Sequence, residues 1–111
     1  MAILGLTRTI DSAHGTKKIH GHSFKIEITF EGAVKGDFVD GIDFHEARKE
    51  SDLILDKLDK VYLNDVIGRA TAETIAIYII KDLREKFPTL KAVEVWEGIN
   101  QYAKIFAEEV D

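Results

Sequence analysis

Residues 19–31, Ile19-His20-Gly21-His22-Ser23-Phe24-Lys25-Ile26-Glu27-Ile28-Thr29-Phe30-Glu31, decide the fold of this chain. His20, His22, Phe24, Ile26, Ile28 and Phe30 alternate with Ser23, Lys25, Glu27, Thr29 and Glu31. Successive side chains of a strand point to opposite faces, so a period of two predicts a half-buried strand with its apolar face on a core. Upstream, residues 3–13 read as its partner strand, with Leu4, Leu6, Ile10, Ser12 and His14 sharing a face. Gly15 to Lys18 then close the two strands into a hairpin.

Beyond the hairpin the period changes. Asp43 with Glu46 three residues on is a capping-box-like start, Asp standing in the usual Ser/Thr place. Ala47, Leu53, Ile54, Leu55 and Leu58 follow at roughly helical spacing. After a loop around residues 64–69, Thr71 can cap a second helix whose stripe is Ala72, Ile75, Ala76, Ile79 and Leu83, with Pro88 just past its end. Residues 91–97 and 102–108 read as a second hairpin around Gly98-Ile99-Asn100-Gln101. The predicted order is ββααββ. It implies an α+β fold with a four-stranded antiparallel sheet and two helices on one face.

Composition narrows the class. A chain of 111 residues with no linker or repeat fits one domain, 1–111, with one modest core. The net charge of -5 offers no general basic footprint for nucleic acid or an anionic membrane. No apolar run is long enough to span a bilayer, and Met1 to Asp11 lack the pattern of a secretion signal. The chain has no cysteine, which excludes disulfides, thiolate ligands and cysteine nucleophiles and fits a cytoplasmic address.

Three of the four histidines fall at positions 14, 20 and 22. His20 and His22 are two apart on one strand and share its face. His14 lies on the partner strand near the hairpin end and can face them. Three convergent imidazoles on rigid strands match a catalytic zinc site, with three protein ligands and an open fourth position. Neutral imidazole also suits other borderline divalent metals. His45 reads as a surface residue in the first turn of a helix.

The ordered set of motifs resembles a known family. Ser12-Ala13-His14 and His20-Gly21-His22, then Asp43-Phe44, Leu58-Asp59-Lys60-Val61-Tyr62-Leu63-Asn64, Thr71-Ala72-Glu73-Thr74-Ile75-Ala76 and Val95-Trp96-Glu97 with Tyr102 downstream, are similar to the 6-pyruvoyl-tetrahydropterin synthase and 6-carboxytetrahydropterin synthase family. The resemblance covers nearly the whole chain. It implies the tunnelling fold, in which subunits pair their sheets into a barrel, and a homohexamer of two trimeric rings with sites between subunits. It implies zinc on His14, His20 and His22, a pterin ring anchored by Glu97, and Thr71 and Glu73 close to that ring. A carboxylate suits the anchor because it accepts two parallel hydrogen bonds. The family substrate is 7,8-dihydroneopterin triphosphate, from which triphosphate is eliminated, with a cysteine thiolate and an Asp–His pair moving protons.

This chain departs from the pattern where protons move. The family cysteine position is Thr16, and the family's Leu-Asp-His is Leu58-Asp59-Lys60. Asp59 persists, so Asp59, Lys60 and Thr16 are the catalytic candidates. Glu27, the nearest glutamate along the strand, points away from the histidines. Three functions follow from these residues: a zinc-dependent pterin lyase of this family, an enzyme that cleaves the dihydroneopterin side chain in an aldolase-like way, or a non-catalytic pterin- or metal-binding homologue. Each has a small-molecule pterin as its partner.

Overall fold

The computed structural model describes all 111 residues. Two long strands, β1 (Ala2–His14) and β2 (His20–Gly32), form the hairpin. A small hairpin follows, β3 (Val34–Lys35) and β4 (Phe38–Val39). Three helices come next: α1 (Phe44–Leu58), α2 (Leu63–Ile67) and α3 (Ala72–Leu83). The chain ends with β5 (Leu90–Glu97), β6 (Gln101–Phe106) and a 3-10 turn over Ala107–Glu109. The main sheet has four antiparallel strands in the order β1-β2-β5-β6. The predicted α+β fold is therefore present.

Three features lie outside the sequence reading. β3 and β4 form a separate two-stranded ladder. The segment read as a loop around 64–69 opens with the single turn of α2. The last strand stops at Phe106 rather than running to 108. All three are too short for a period to register in the sequence.

The core lies between the sheet and the helices. Leu6, Ile10, Phe24, Ile26, Ile28 and Phe30 supply the β1–β2 face, and Val93 and Val95 continue it on β5. α3 covers it with Ala72, Ile75, Ala76, Ile79, Ile80 and Leu83, and α1 with Ala47, Ile54, Leu55 and Leu58. Asp43 caps α1, its carboxylate accepting the His45 N–H at 2.8 Å. α3 begins with a reciprocal capping box: Thr71 Oγ1 accepts from Thr74 N–H at 3.1 Å, and Thr74 Oγ1 accepts from Thr71 N–H at 2.8 Å. Such caps satisfy donors that the first helical turn leaves free. The opposite sheet face is polar and aromatic, with Thr9, Lys25 and a stacked Trp96–Tyr102 pair at 4.5 Å.

Register sets up the site. β2 pairs with β5 only from Phe24, opposite Glu97, onward to Phe30. The hairpin end carrying His14, His20 and His22 therefore runs past the end of β5, with the inward-facing Glu97 at the boundary.

Candidate metal centre and adjoining cavity

His14 and His20 are direct cross-strand partners, and His22 pairs with Ser12. Strand parity puts all three imidazoles on the core face. Their ring centroids lie 4.5, 5.1 and 4.7 Å apart, and the buried Phe24 ring packs edge-on against His14 and His22 at 5.4 and 5.7 Å. Glu97 completes the group. Its Oε1 is 3.3 Å from His22 Nε2 and 4.0 Å from His14 Nε2. One ligand atom from each of His14, His20, His22 and Glu97 lies within 4.8 Å of the others.

The backbone selects the tautomers. His14 Nδ1 lies 2.7 Å from the Ala70 carbonyl, and His20 Nδ1 lies 3.0 Å from the Lys18 carbonyl. A carbonyl oxygen only accepts, so each Nδ1 carries a proton, and in the neutral ring that a metal ligand requires each Nε2 keeps its lone pair. His14 Nε2 is buried and has no hydrogen-bond partner in the protein. Lone pairs of two imidazoles thus converge with a carboxylate, an arrangement of acceptors facing acceptors that a cation relieves. Orienting carbonyls of this kind are the outer-shell support that metal-ligating histidines ordinarily have. The donor set fits a divalent metal with nitrogen preference.

Glu97 also opens onto a cavity of about 190 Å³ lined by Ala72, Glu73, Glu97, Gln101, Tyr102 and Ala103. It stands between the imidazoles and this cavity. The start of α3 supplies Glu73 to the lining. Thr71 lies two residues before Glu73, but its hydroxyl is taken up by the capping box.

The family described as 6-pyruvoyl tetrahydropterin synthase matches this sequence over residues 6–108. The chain belongs to that family. It is 34% identical over 98 residues to a Pyrococcus furiosus protein named dihydroneopterin monophosphate aldolase, covering 81% of this chain and 84% of the relative. It is 32% identical over 109 residues to an Archaeoglobus fulgidus protein provisionally named 6-carboxy-5,6,7,8-tetrahydropterin synthase, covering 93% and 94%. The fold matches that of Caenorhabditis elegans 6-pyruvoyl tetrahydropterin synthase with a TM-score of 0.79, at 21% identity over 96% of both chains. The four-stranded sheet and its helices are those of the tunnelling fold.

Within one chain, this member of the 6-pyruvoyl tetrahydropterin synthase family does not gather all of its candidate residues. Asp59 Oδ1 accepts the Asp11 N–H at 2.9 Å, and Asp59 Oδ2 lies 3.5 Å from Arg8 Nη2. Arg8 also meets Asp52 at 3.2 Å and Asp56 at 2.7 Å. Burial lowers the Arg8 pKa, but the hydrogen bonds to Asp56 and Asp52 together outweigh it and hold the guanidinium above its ordinary value. Asp59 is thereby part of a β1–α1 ion-pair group. Lys60 is the one non-glycine residue with positive φ, at 58°, and its N–H donates to the Asp11 carbonyl at 2.7 Å. Its side chain is exposed and lines an open cavity of about 640 Å³ with Asp11, Gly21, Ser23 and Tyr62 among others. Thr16 is exposed in the hairpin turn. No hydrogen bond or ion pair joins Thr16, Asp59 or Lys60 to the imidazoles.

Supporting residues escaped the sequence reading. Asn64 Oδ1 accepts the Gly15 N–H at 3.0 Å, and Tyr62 Oη donates to the Gly15 carbonyl at 2.6 Å. Together they clamp the hairpin turn beside His14. Asn64 and Tyr62 belonged to the resemblance, but nothing in spacing alone links positions 47 and 49 residues from Gly15.

Proposed function

We propose that this chain is a zinc-dependent enzyme of pterin metabolism that cleaves the 6-side chain of a 7,8-dihydroneopterin, in an aldolase-like way, between its first and second carbons. One observation carries the reading: a metal-fitting imidazole group is present beside Glu97, a carboxylate that also borders a cavity, while Thr16 and Lys60 stand where the resemblance puts the family's thiolate and imidazole. Eliminating triphosphate requires removal of carbon-bound protons, the task of the missing thiolate. Aldolase-like cleavage requires removal of a hydroxyl proton instead. The name of the Pyrococcus furiosus relative supports the same choice.

His14, His20 and His22 would hold the zinc, which supplies Lewis acidity toward the side-chain hydroxyls. Glu97 accepts two parallel hydrogen bonds from the pterin amino and ring N–H edge, and Glu73 borders the same cavity. This holds the ring against Glu97 and directs its side chain at the imidazoles. The second-carbon hydroxyl then loses its proton. The bond between the first and second carbons breaks, and its electron pair passes into the ring C6–N5 imine. The first carbon takes up a proton, leaving a 6-hydroxymethyl-7,8-dihydropterin and a two-carbon aldehyde. The exposed Lys60 ammonium of a neighbouring subunit suits the donor role, and Asp59 positions the Lys60 segment through the Asp11 N–H. Thr16 contributes a hydroxyl at the mouth of the site.

Incubation of zinc-loaded protein with 7,8-dihydroneopterin, its 3′-phosphate and its triphosphate, followed by mass spectrometry, tests the reading. Hydroxymethyl-dihydropterin is the expected product. A 6-pyruvoyl or 6-carboxy product would replace this reaction with the elimination, and unchanged substrates would leave a binding protein.

A further inference from the structure

We infer that Tyr62 and Asn64 are positioning residues of the metal centre. With the Ala70 carbonyl they make residues 62–70 the support of His14, so that metal binding and the order of this segment, α2 included, are coupled. The inference rests on the metal reading above and assigns what tunes the affinity of that centre.

The three imidazoles are not held alike. His20 is exposed, and its Nδ1 is fixed from within its own turn by the Lys18 carbonyl. His22 is half-buried and meets Glu97. His14 alone is buried, and its Nδ1 donates to the Ala70 carbonyl, 56 positions further along the chain. The stretch that ends at Ala70 also grips both neighbours of His14. On one side the Ala13 N–H donates to the Val61 carbonyl at 3.0 Å. On the other, the Gly15 N–H donates to Asn64 Oδ1 at 3.0 Å, and the Gly15 carbonyl accepts from Tyr62 Oη at 2.6 Å. Gly15 lies just past the β1–β2 ladder, so these two side chains take up both of its backbone groups. It has φ 115°, and a Cβ there would run into the Lys18 carbonyl, so the corner closes only around glycine.

The supporting segment has few ties of its own. α2 has five residues, of which only Leu63 is fully buried. A helix this short has little stability alone. Asn64 links its order to the corner: its carbonyl accepts the Gly68 N–H at 3.1 Å and closes α2, while its side chain holds Gly15. Displacing Gly15 displaces the adjacent His14, whose buried Nε2 has no partner in the protein. Coupling of this kind is reciprocal. The factor by which an ordered segment raises metal affinity is the factor by which metal favours the ordered segment. The chemistry of the contact is specific as well. The Gly15 N–H demands an acceptor, which aspartate supplies as well as asparagine and leucine does not.

Zinc affinity, measured by competition with a chelating dye, tests the coupling in wild type, Asn64→Leu, Asn64→Asp, Tyr62→Phe and Thr29→Val. Thr29 donates to the Ala92 carbonyl at the far end of β2, so its variant reports on lost stability alone. Asn64→Leu should bind zinc about 10- to 100-fold more weakly, the usual effect of losing the outer support of a ligating histidine. Tyr62→Phe should weaken binding in the same direction, Asn64→Asp should restore most of the affinity, and Thr29→Val should match wild type. Hydrogen exchange followed by mass spectrometry gives a second readout: zinc should slow exchange across residues 62–70 of wild-type protein. Wild-type affinity in Asn64→Leu or Tyr62→Phe, an equal loss in Asn64→Asp or Thr29→Val, or exchange across 62–70 that zinc leaves unchanged overturns the inference. Should Asn64→Leu not fold, Tyr62→Phe, which keeps the ring, decides by the same comparison with Thr29→Val. Wild-type protein that binds no zinc overturns the metal centre and this inference together. Zinc binding indifferent to Asn64 and Tyr62 overturns this inference alone.

Discussion

His14 shows how much a single residue is asked to do. It is buried, donates from Nδ1 to Ala70, and leaves Nε2 facing its neighbours with no partner in the protein. A buried acceptor left unmatched costs about 1–3 kcal/mol, which a bound cation would recover. Purified His14→Ala should therefore lose most of its metal in elemental analysis, and a His14→Ala, His20→Ala double variant should hold none. Stoichiometric zinc in the double variant would end the metal assignment. Glu97→Ala should keep the three imidazole ligands and its zinc but bind neopterin roughly 1.5–3 kcal/mol more weakly, the usual worth of a hydrogen bond to a charged group. Calorimetry with equal affinity for wild type and variant would place the ring anchor elsewhere. The imidazoles were legible in the sequence because a period of two fixes the face of His20 and His22. The closeness of Glu97 to His22 was not, because it depends on the register that pairs Phe24 with Glu97, 73 positions further along the chain. The capture of Asp59 by Arg8 and Asp11 is hidden for the same reason.

Elements meet at a few buried polar ties. Ser12 Oγ donates to the Leu58 carbonyl at the end of α1 and accepts the Val61 N–H at 3.3 Å. The Ala13 N–H donates to the Val61 carbonyl at 3.0 Å, so β1 and the segment after α1 are stitched together. Removing the Ser12 hydroxyl strands a buried carbonyl. Ser12→Ala should lower unfolding stability by about 1–3 kcal/mol in urea titrations without changing the strand content seen by circular dichroism. A variant as stable as wild type would show that the tie contributes nothing. The long elements were readable from pattern: β2 from strict alternation, α3 from its Thr71 cap and apolar stripe. The β3–β4 hairpin was not, since two residues per strand carry no measurable period. Its only signal is the Gly36-Asp37 turn, where Gly36 has φ 60°. α2 is missed likewise, since five residues make barely more than one turn.

At the scale of the molecule, the sheet remains open. β1 and β6 are its outer strands, and β1 is covered near Asp11 and Ala13 by the segment after α1 and at the Thr7 carbonyl by the Arg48 guanidinium. Ile3 and Tyr102 on these strands are 55% exposed each. Unpaired edges of this length invite pairing with further copies. The expected state is the homohexamer, with a light-scattering mass near six times the 12.5 kDa of one chain. A mass of one chain at micromolar concentration would contradict it. The active site supplies a sharper test. Lys60 shares an open cavity with His22 but makes no hydrogen bond or ion pair with the imidazoles of its own chain, and the proposed function has it act on a substrate held by a neighbouring subunit. His20→Ala and Lys60→Ala should each abolish most turnover. Unfolded together in equal amounts and refolded with zinc, they should recover roughly a quarter of wild-type activity, the chance that a shared site draws intact imidazoles from one subunit and an intact Lys60 from another. Sites contained within one chain would give no recovery, because every chain in the mixture carries one of the two lesions.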